Sequence, residues 1–203
     1  MDTSVKDNMT FMSSSVDVLY RLAEPRAGYF TTAQARDVDV SRQQLHYLAR
    51  TGSIDRVAHG IYRLRRFPAQ RFEDVIVACL WAGEDAAASH DTALAVYELT
   101  DAMPARIHVT VPRPFRGQRR GVVVHVAGLD EGERTVRAGV PVTTVERTIA
   151  DLVGQSGTMA AVEAATQALE RGLVTRRRLR AALVGGGERT EAVLEALAGT
   201  VEV

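Results

Sequence analysis

Val40-Ser41-Arg42-Gln43-Gln44-Leu45-His46-Tyr47-Leu48-Ala49-Arg50-Thr51-Gly52-Ser53-Ile54-Asp55-Arg56-Val57-Ala58-His59-Gly60-Ile61-Tyr62-Arg63-Leu64 decides the reading of the first third of the chain. Ser41 followed three residues later by Gln44 fits a capping box, so a helix opens at Ser41. It runs through Arg50, and Gly52 stops it as a glycine past a helix end should. Two short β-branched runs follow, Ile54–Val57 and Gly60–Leu64, joined at Ala58-His59-Gly60. Runs of that kind around a glycine-bearing turn predict a hairpin.

Working outward, Val16, Leu19, Tyr20 and Ala23 recur at spacings of three and four, which predicts a first helix. Glu24-Pro25-Arg26-Ala27-Gly28 breaks it. Tyr29-Phe30 are apolar, and Thr31 or Thr32 can cap a short helix through Ala35. Asp37–Val40 is the turn. Three helices followed by a hairpin is the order of a winged helix-turn-helix. That domain is assigned to 16–68, with 1–15 a flexible tail.

At 100° per residue, Leu45, Leu48 and Ala49 share one face of the 41–50 helix and belong to a core. Gln43, His46, Tyr47 and Arg50 fall on the opposite half, and Arg42 lies at the amino end. The amino-terminal part of such a helix enters the major groove. There Arg can pair with guanine and Gln with adenine, each bidentately. Ser41 and the free N–H groups at the helix start suit a phosphate, and Thr32 joins the set from the preceding helix. Arg56 and Arg63 flank the hairpin. His59 at its tip is either a groove or phosphate contact or an idle turn residue. Arg65 and Arg66 suit phosphate. The alternative for the whole face is solvated surface. Local charge favours contact: residues 19–66 hold nine arginines against four carboxylates, a net +5.

The whole chain is formally neutral, with 203 residues, 46% hydrophobic and 25% charged, so an all-over basic coat is excluded. No run approaches the roughly 18 apolar residues of a membrane span. The amino-terminal stretch lacks an apolar signal core. The one cysteine, Cys79, lies in an apolar run and reads as a buried small hydrophobe. A reducing, cytoplasmic setting fits, with no membrane partner.

Past the linker 65–70, a second, mixed α/β domain is assigned to 71–203, making the fold class α+β. Helices are expected at about 71–82, 89–98, 144–152, 158–171, 176–184 and 189–198. Strands are expected at 106–111 and 122–126, with a third or an irregular edge over 136–142. Gly154–Gly157 and Gly185–Gly187 read as breaks.

Several stretches resemble the AbiEi-type antitoxins. In the first domain these are Tyr29–Ala35, Val40–Leu45 and Gly52–Leu64, the last a "GxIxRVxxGIYRL" wing. In the second they are Ala88–Leu94, Ile107–Pro112 and Gly139–Leu152. The resemblance covers about 16–184. It implies an antitoxin encoded beside a nucleotidyltransferase-like toxin. The amino-terminal domain would repress the operon at inverted repeats, and the second domain would share in repression and neutralisation. Such an operator needs two recognition helices, hence two chains, pre-dimerised or assembled on DNA.

Chemistry in the second domain is sparsely supported. His90-Asp91 and His108 are two histidines with acids nearby, and His125 lies in a strand. Glu146, Arg147 and Asp151 share one helix, with Arg147 and Asp151 spaced to pair on its surface. Asp91, Glu98, Asp101, Glu146 and Asp151 are carboxylates a nuclease would need to cluster around metal ions, but no spacing demands it. No phosphate-binding GxxxxGK[ST] loop exists. Ser89-His90-Asp91 reads as the cap of the next helix, or as part of an atypical phosphotransfer site. No catalytic residue, cofactor or metal is assigned. Two basic clusters remain: Arg113, Arg116, Arg119 and Arg120 in the loop 112–121, and Arg176, Arg177, Arg178 and Arg180 at a helix start. Positive charge there opposes the helix dipole, which hints at an anionic nucleic-acid or protein partner. The leading reading is an operator-binding antitoxin. A phosphotransferase or nuclease with a DNA-binding module, and a ligand-responsive regulator, stand as alternatives.

Overall fold

A computed structural model describes residues 15–102 and 104–199. The chain is α+β and divides into two compact units, one reaching Trp81 with Ala138–Val140 added, the other made of the remainder. The contact boundary falls at Trp81/Ala82, within a helix rather than in the segment 65–70. The tail read over 1–15 lies outside the described residues up to 14. Ser15 is already helical and buried.

The first unit opens with α1 (15–23), followed by a single 3-10 turn, Glu24–Arg26, with Pro25 in it. The apolar Tyr29-Phe30 pair belongs to a strand, β1 (Tyr29–Thr31), which sequence periodicity is too short to show. α2 (Thr32–Asp37) and α3 (Arg42–Arg50) come next, then β2 (Ile54–Ala58) and β3 (Ile61–Leu64). The three strands form an antiparallel sheet in the order β1-β3-β2, with Tyr29 opposite Arg63 and Asp55 opposite Arg63 on the other side. α4 (Glu73–Ala82) closes the series, and Val75–Leu80 along it are all buried.

Both short helices are fixed by local chemistry. Thr31, not Thr32, caps α2: its hydroxyl accepts from the Gln34 N–H at 3.2 Å, and its own N–H donates to Gln34 Oε1 at 3.0 Å. Ser41 and Gln44 repeat the arrangement at α3, at 3.3 and 2.7 Å. Each box satisfies donors that a helix start leaves open. Both helices also end alike. Asp39 and Gly52 adopt left-handed backbone, at φ 60° and 79°. Val40 N–H then reaches back to Ala35 O, and Ser53 N–H to Leu48 O. This is the Schellman termination. Leu19, Phe30, Leu45, Leu48, Ile54 and Leu64 lie in the core between these elements.

The second unit holds a mixed five-stranded sheet ordered β6-β5-β4-β8-β7, from β4 (Ala87–Ala88), β5 (Ile107–Val111), β6 (Val122–Val126), β7 (Arg134–Arg137) and β8 (Val140–Thr143). β5 runs parallel to β6 and antiparallel to β4, while β4 runs parallel to β8. The stretch expected as one strand or an irregular edge over 136–142 is two strands. They turn at Ala138-Gly139, both at positive φ, as a two-residue hairpin turn prefers. β4 is only two residues long and carries no alternation to read. The helices are α5 (His90–Tyr97), α6 (Val145–Gln155), α7 (Thr158–Glu170), α8 (Arg176–Leu183) and α9 (Glu188–Gly199). α6 continues through Gly154, where a break was expected. Its Ile149, Leu152 and Val153 are buried, and that packing outweighs the low helix propensity of one glycine.

Candidate functional site

α3 presents two faces. Leu45 and Leu48 are buried on one, and Ala49 is half-buried beside them. Arg42, Gln43, His46, Tyr47 and Arg50 are all exposed on the other. The Arg50 guanidinium sits 5.4 Å from the centre of the Tyr47 ring, within cation–π range, so the two side chains form one surface feature. Tyr47 is 37% exposed, unusual for a large ring. Ser41 remains at the helix start with its hydroxyl engaged in the cap.

The hairpin divides its basic residues into two kinds. Arg56 is exposed and its Nη2 lies 3.2 Å from His59 Nδ1, joining strand to tip. Arg66 is exposed. Arg63 is held inward instead: its side chain is 21% exposed, and it pairs with Asp55 at 3.3 Å and Glu73 at 3.6 Å. Arg65 donates to the other Asp55 oxygen at 2.7 Å, though it stays largely open to solvent. Those bonds, Arg65 first, hold the Asp55 carboxyl below its ordinary 3.8. The Tyr29 hydroxyl lies beside Arg63 and Glu73, and burial pushes it up to about 12. Thr32 donates to Gly60 O at 3.3 Å, so its hydroxyl ties α2 to the hairpin turn.

Residues 17–65 match the family of AbiEi antitoxin transcriptional regulators. The matched segment holds α3 and the whole hairpin, and it ends at Arg65. No curated protein matches the chain.

Among the described residues beyond the matched segment, the carboxylates do not assemble. Glu146 is buried and accepts from Arg178 at 2.6 Å. Arg147 and Asp151 do pair, at 2.8 Å, but not on the surface: their side chains are 15% and 12% exposed. Arg147 also reaches Glu133 at 3.0 Å and Gly128 O at 2.7 Å. Burial pushes the Asp151 carboxyl upward against the pull of Arg147. Among the described residues, one group of His, Cys, Asp or Glu side chains is close enough to share a cation, and it is made of histidines.

The members are His90, His108 and His125, three of the five histidines in the chain. His108 and Thr110 alternate along β5, and Thr110 is opposite His125 on the parallel β6. Alternation therefore puts all three on one face of the sheet. His90, at the start of α5, stacks on His125 with ring centres 3.9 Å apart. His125 Nε2 and His108 Nδ1 are 3.1 Å apart. Ser89 occupies the cap position of α5 yet makes no capping bond. Its Oγ instead lies 2.9 Å from His90 Nδ1 and accepts from Thr110 at 2.8 Å. Burial, with the neighbouring His125 and His108 rings adding to it, lowers His90 to about 3. Burial lowers His108 and His125 as well. The parallel pairing that unites them joins residues too far apart to be read from local pattern.

The basic clusters of the second unit differ from one another. Arg113, Arg116 and Arg120 are exposed and Arg119 half-buried in an irregular loop. In α8, Arg178 is answered by the buried Glu146, and Arg176 donates to Leu197 O near the end of α9 at 2.9 Å. Two of the charges that seemed to ask for an external anion thus have internal partners. Arg177 and Arg180 are exposed.

Proposed function

We propose that this protein is an operator-binding antitoxin, a winged helix-turn-helix regulator that represses its own operon and counteracts a nucleotidyltransferase-type toxin. The observation that carries the DNA-binding part is α3: Arg42, Gln43, His46, Tyr47 and Arg50 stand exposed on one face while Leu45 and Leu48 anchor the other. A helix held in that way offers donors matched to base edges without giving up its core contacts. Arg42, Gln43 and Arg50 would read bases. Arg56, His59, Arg65 and Arg66 would approach phosphate or the minor groove from the hairpin. Arg63 would serve the fold of the hairpin rather than the nucleic acid, because its charge is already spent on Asp55 and Glu73. The net +5 over 19–66 supports the phosphate contribution.

Toxin recognition is assigned to the second unit, on the resemblance of Ala88–Leu94, Ile107–Pro112 and Gly139–Leu152 to antitoxins. The exposed arginines of the loop 112–121 offer an anionic partner a place to bind. Two chains would occupy one inverted-repeat operator.

The test is a gel-shift titration with DNA from just upstream of the gene at two salt concentrations. Wild type is compared with a Gln43→Ala, Arg50→Ala double variant. Specific binding that strengthens as salt falls and is lost in the variant supports the regulator. Equal binding to upstream and unrelated DNA removes it. Co-expression with the neighbouring gene product tests neutralisation separately.

A further inference from the structure

We propose that His90, His108 and His125 form a three-imidazole site for a divalent transition-metal cation, with zinc the best fit to the spacing. The reading stands apart from DNA binding and depends on no part of it.

The donor atoms of the three rings all lie within 4.8 Å of one another. The closest pair, His125 Nε2 and His108 Nδ1, is 3.1 Å apart. Zinc–imidazole bonds of about 2.0–2.1 Å place the nitrogens of a tetrahedral site about 3.3 Å apart. That pair, joined as a hydrogen bond, already stands at about the edge length of such a site, and turning His90 out of its stack on His125 brings in the third ligand. Imidazole nitrogen is a favoured donor for zinc, copper, nickel and cobalt, and the absence of carboxylate from the group disfavours magnesium and calcium. Three protein ligands leave one position for water, and the half-buried His108 and His125 keep a route to solvent.

The surroundings support ligation. A metal-binding histidine usually donates its other ring N–H to a neighbour, which fixes its tautomer. His90 Nδ1 has that neighbour in Ser89 Oγ, leaving Nε2 for the cation. Ser89 is itself held by Thr110, so the support reaches back to the sheet. The backbone of His90 is left-handed at φ 53°, a conformation that is uncommon away from glycine. Strain of this kind concentrates where a side chain must be aimed. A helix cap and a relaxed backbone have both been forgone at the residue that turns its ring toward His125.

The experiment uses the full chain, stripped with chelator and titrated with zinc chloride, and with cobalt chloride as a visible-absorbance probe. One equivalent is expected to bind per chain, with absorption bands of nitrogen-coordinated cobalt. His125→Gln and His108→Gln are each expected to weaken binding by at least about tenfold. A His46→Gln, His59→Gln double variant, altered only outside the group, is expected to bind as wild type. Imidazole proton–nitrogen correlation spectra of the unaltered protein keep the test independent of whether the variants fold. Three of the five histidine signals should shift with one equivalent of zinc, and the same three in the double variant. No saturable one-equivalent binding, or shifts confined to His46 and His59, would overturn the site. Wild-type affinity in both folded single variants would overturn it as well.

Discussion

Arg63 and Asp55 face each other across the β2–β3 pairing, their side chains 3.3 Å apart and each less than one-third exposed. The same carboxylate holds Arg65 through its second oxygen. An arginine in a locally basic part of the chain is thus committed to the sheet. Arg63→Ala is expected to lower unfolding stability by about 1–2 kcal/mol, since it leaves Asp55 and Glu73 short of a partner. Operator affinity measured on the folded fraction should change little. Arg42→Ala should do the reverse, leaving the denaturation midpoint in place while weakening specific binding. Parallel urea melts and gel shifts separate the two.

Asp55 also gives the first unit a defined acid response. Its folded-state pKa is depressed, with Arg65 the first cause, below the 3.8 expected of the unfolded chain. Below pH 3.8 the unfolded state takes up the proton first, so stability falls as pH falls through the folded value. Above 3.8 the contribution is fully present. Asp55→Asn should therefore lose stability relative to wild type at neutral pH, with the gap narrowing toward pH 2. A constant gap across that range would contradict the pairing.

On α3, the Gln43→Ala, Arg50→Ala double variant should cost about 2–6 kcal/mol of specific binding if each side chain makes a bidentate base contact. Arg66→Ala should weaken all sequences alike and reduce the salt slope by about 1. Titrations against operator and scrambled DNA at several salt concentrations read both quantities.

In the second unit, Arg147→Met strips a buried carboxylate of its partner. With Asp151 only 12% exposed, the expected loss is about 3 kcal/mol, or roughly 6–12 °C in Tm. Adding Asp151→Leu should recover much of it, because the pair is then replaced rather than broken. Calorimetry on the single and double variants checks this.

Reversal of the loop charges Arg116, Arg119 and Arg120 to Glu is expected to weaken toxin or DNA binding while leaving the melting curve unchanged. Unaltered binding of both would remove the loop from the interface.

How much was legible in sequence depended on how far each feature reaches along the chain. The Ser41–Gln44 box and the stop at Gly52 are written within a few residues and stand where the pattern puts them; the turn read at Ala58-His59-Gly60 is His59-Gly60, because Ala58 continues β2. The outward set on α3 follows from the helical repeat. Arg63 was not legible, because Glu73, one of its partners, lies ten residues on in another element. Ser89 looks like a cap in every local respect. Its hydroxyl is engaged instead by the His90 ring and by Thr110, 21 residues away. The histidine group depends on β5 and β6 running parallel in one particular register. Hydrophobic alternation marks each strand but leaves their alignment open.

The two capping boxes bear on the order in which the first unit forms. Each closes a loop of only three residues, so α2 and α3 can be started by contacts within a single turn of chain. The sheet differs: β1 meets β3 with Tyr29 opposite Arg63, across 33 residues of intervening sequence. Long loops close at higher entropic cost and more slowly than short ones. The helix pair is therefore the natural nucleus, and β1 the piece that docks last. Changes at Gln34 or Gln44 should then slow refolding, while changes at Tyr29 should mainly hasten unfolding.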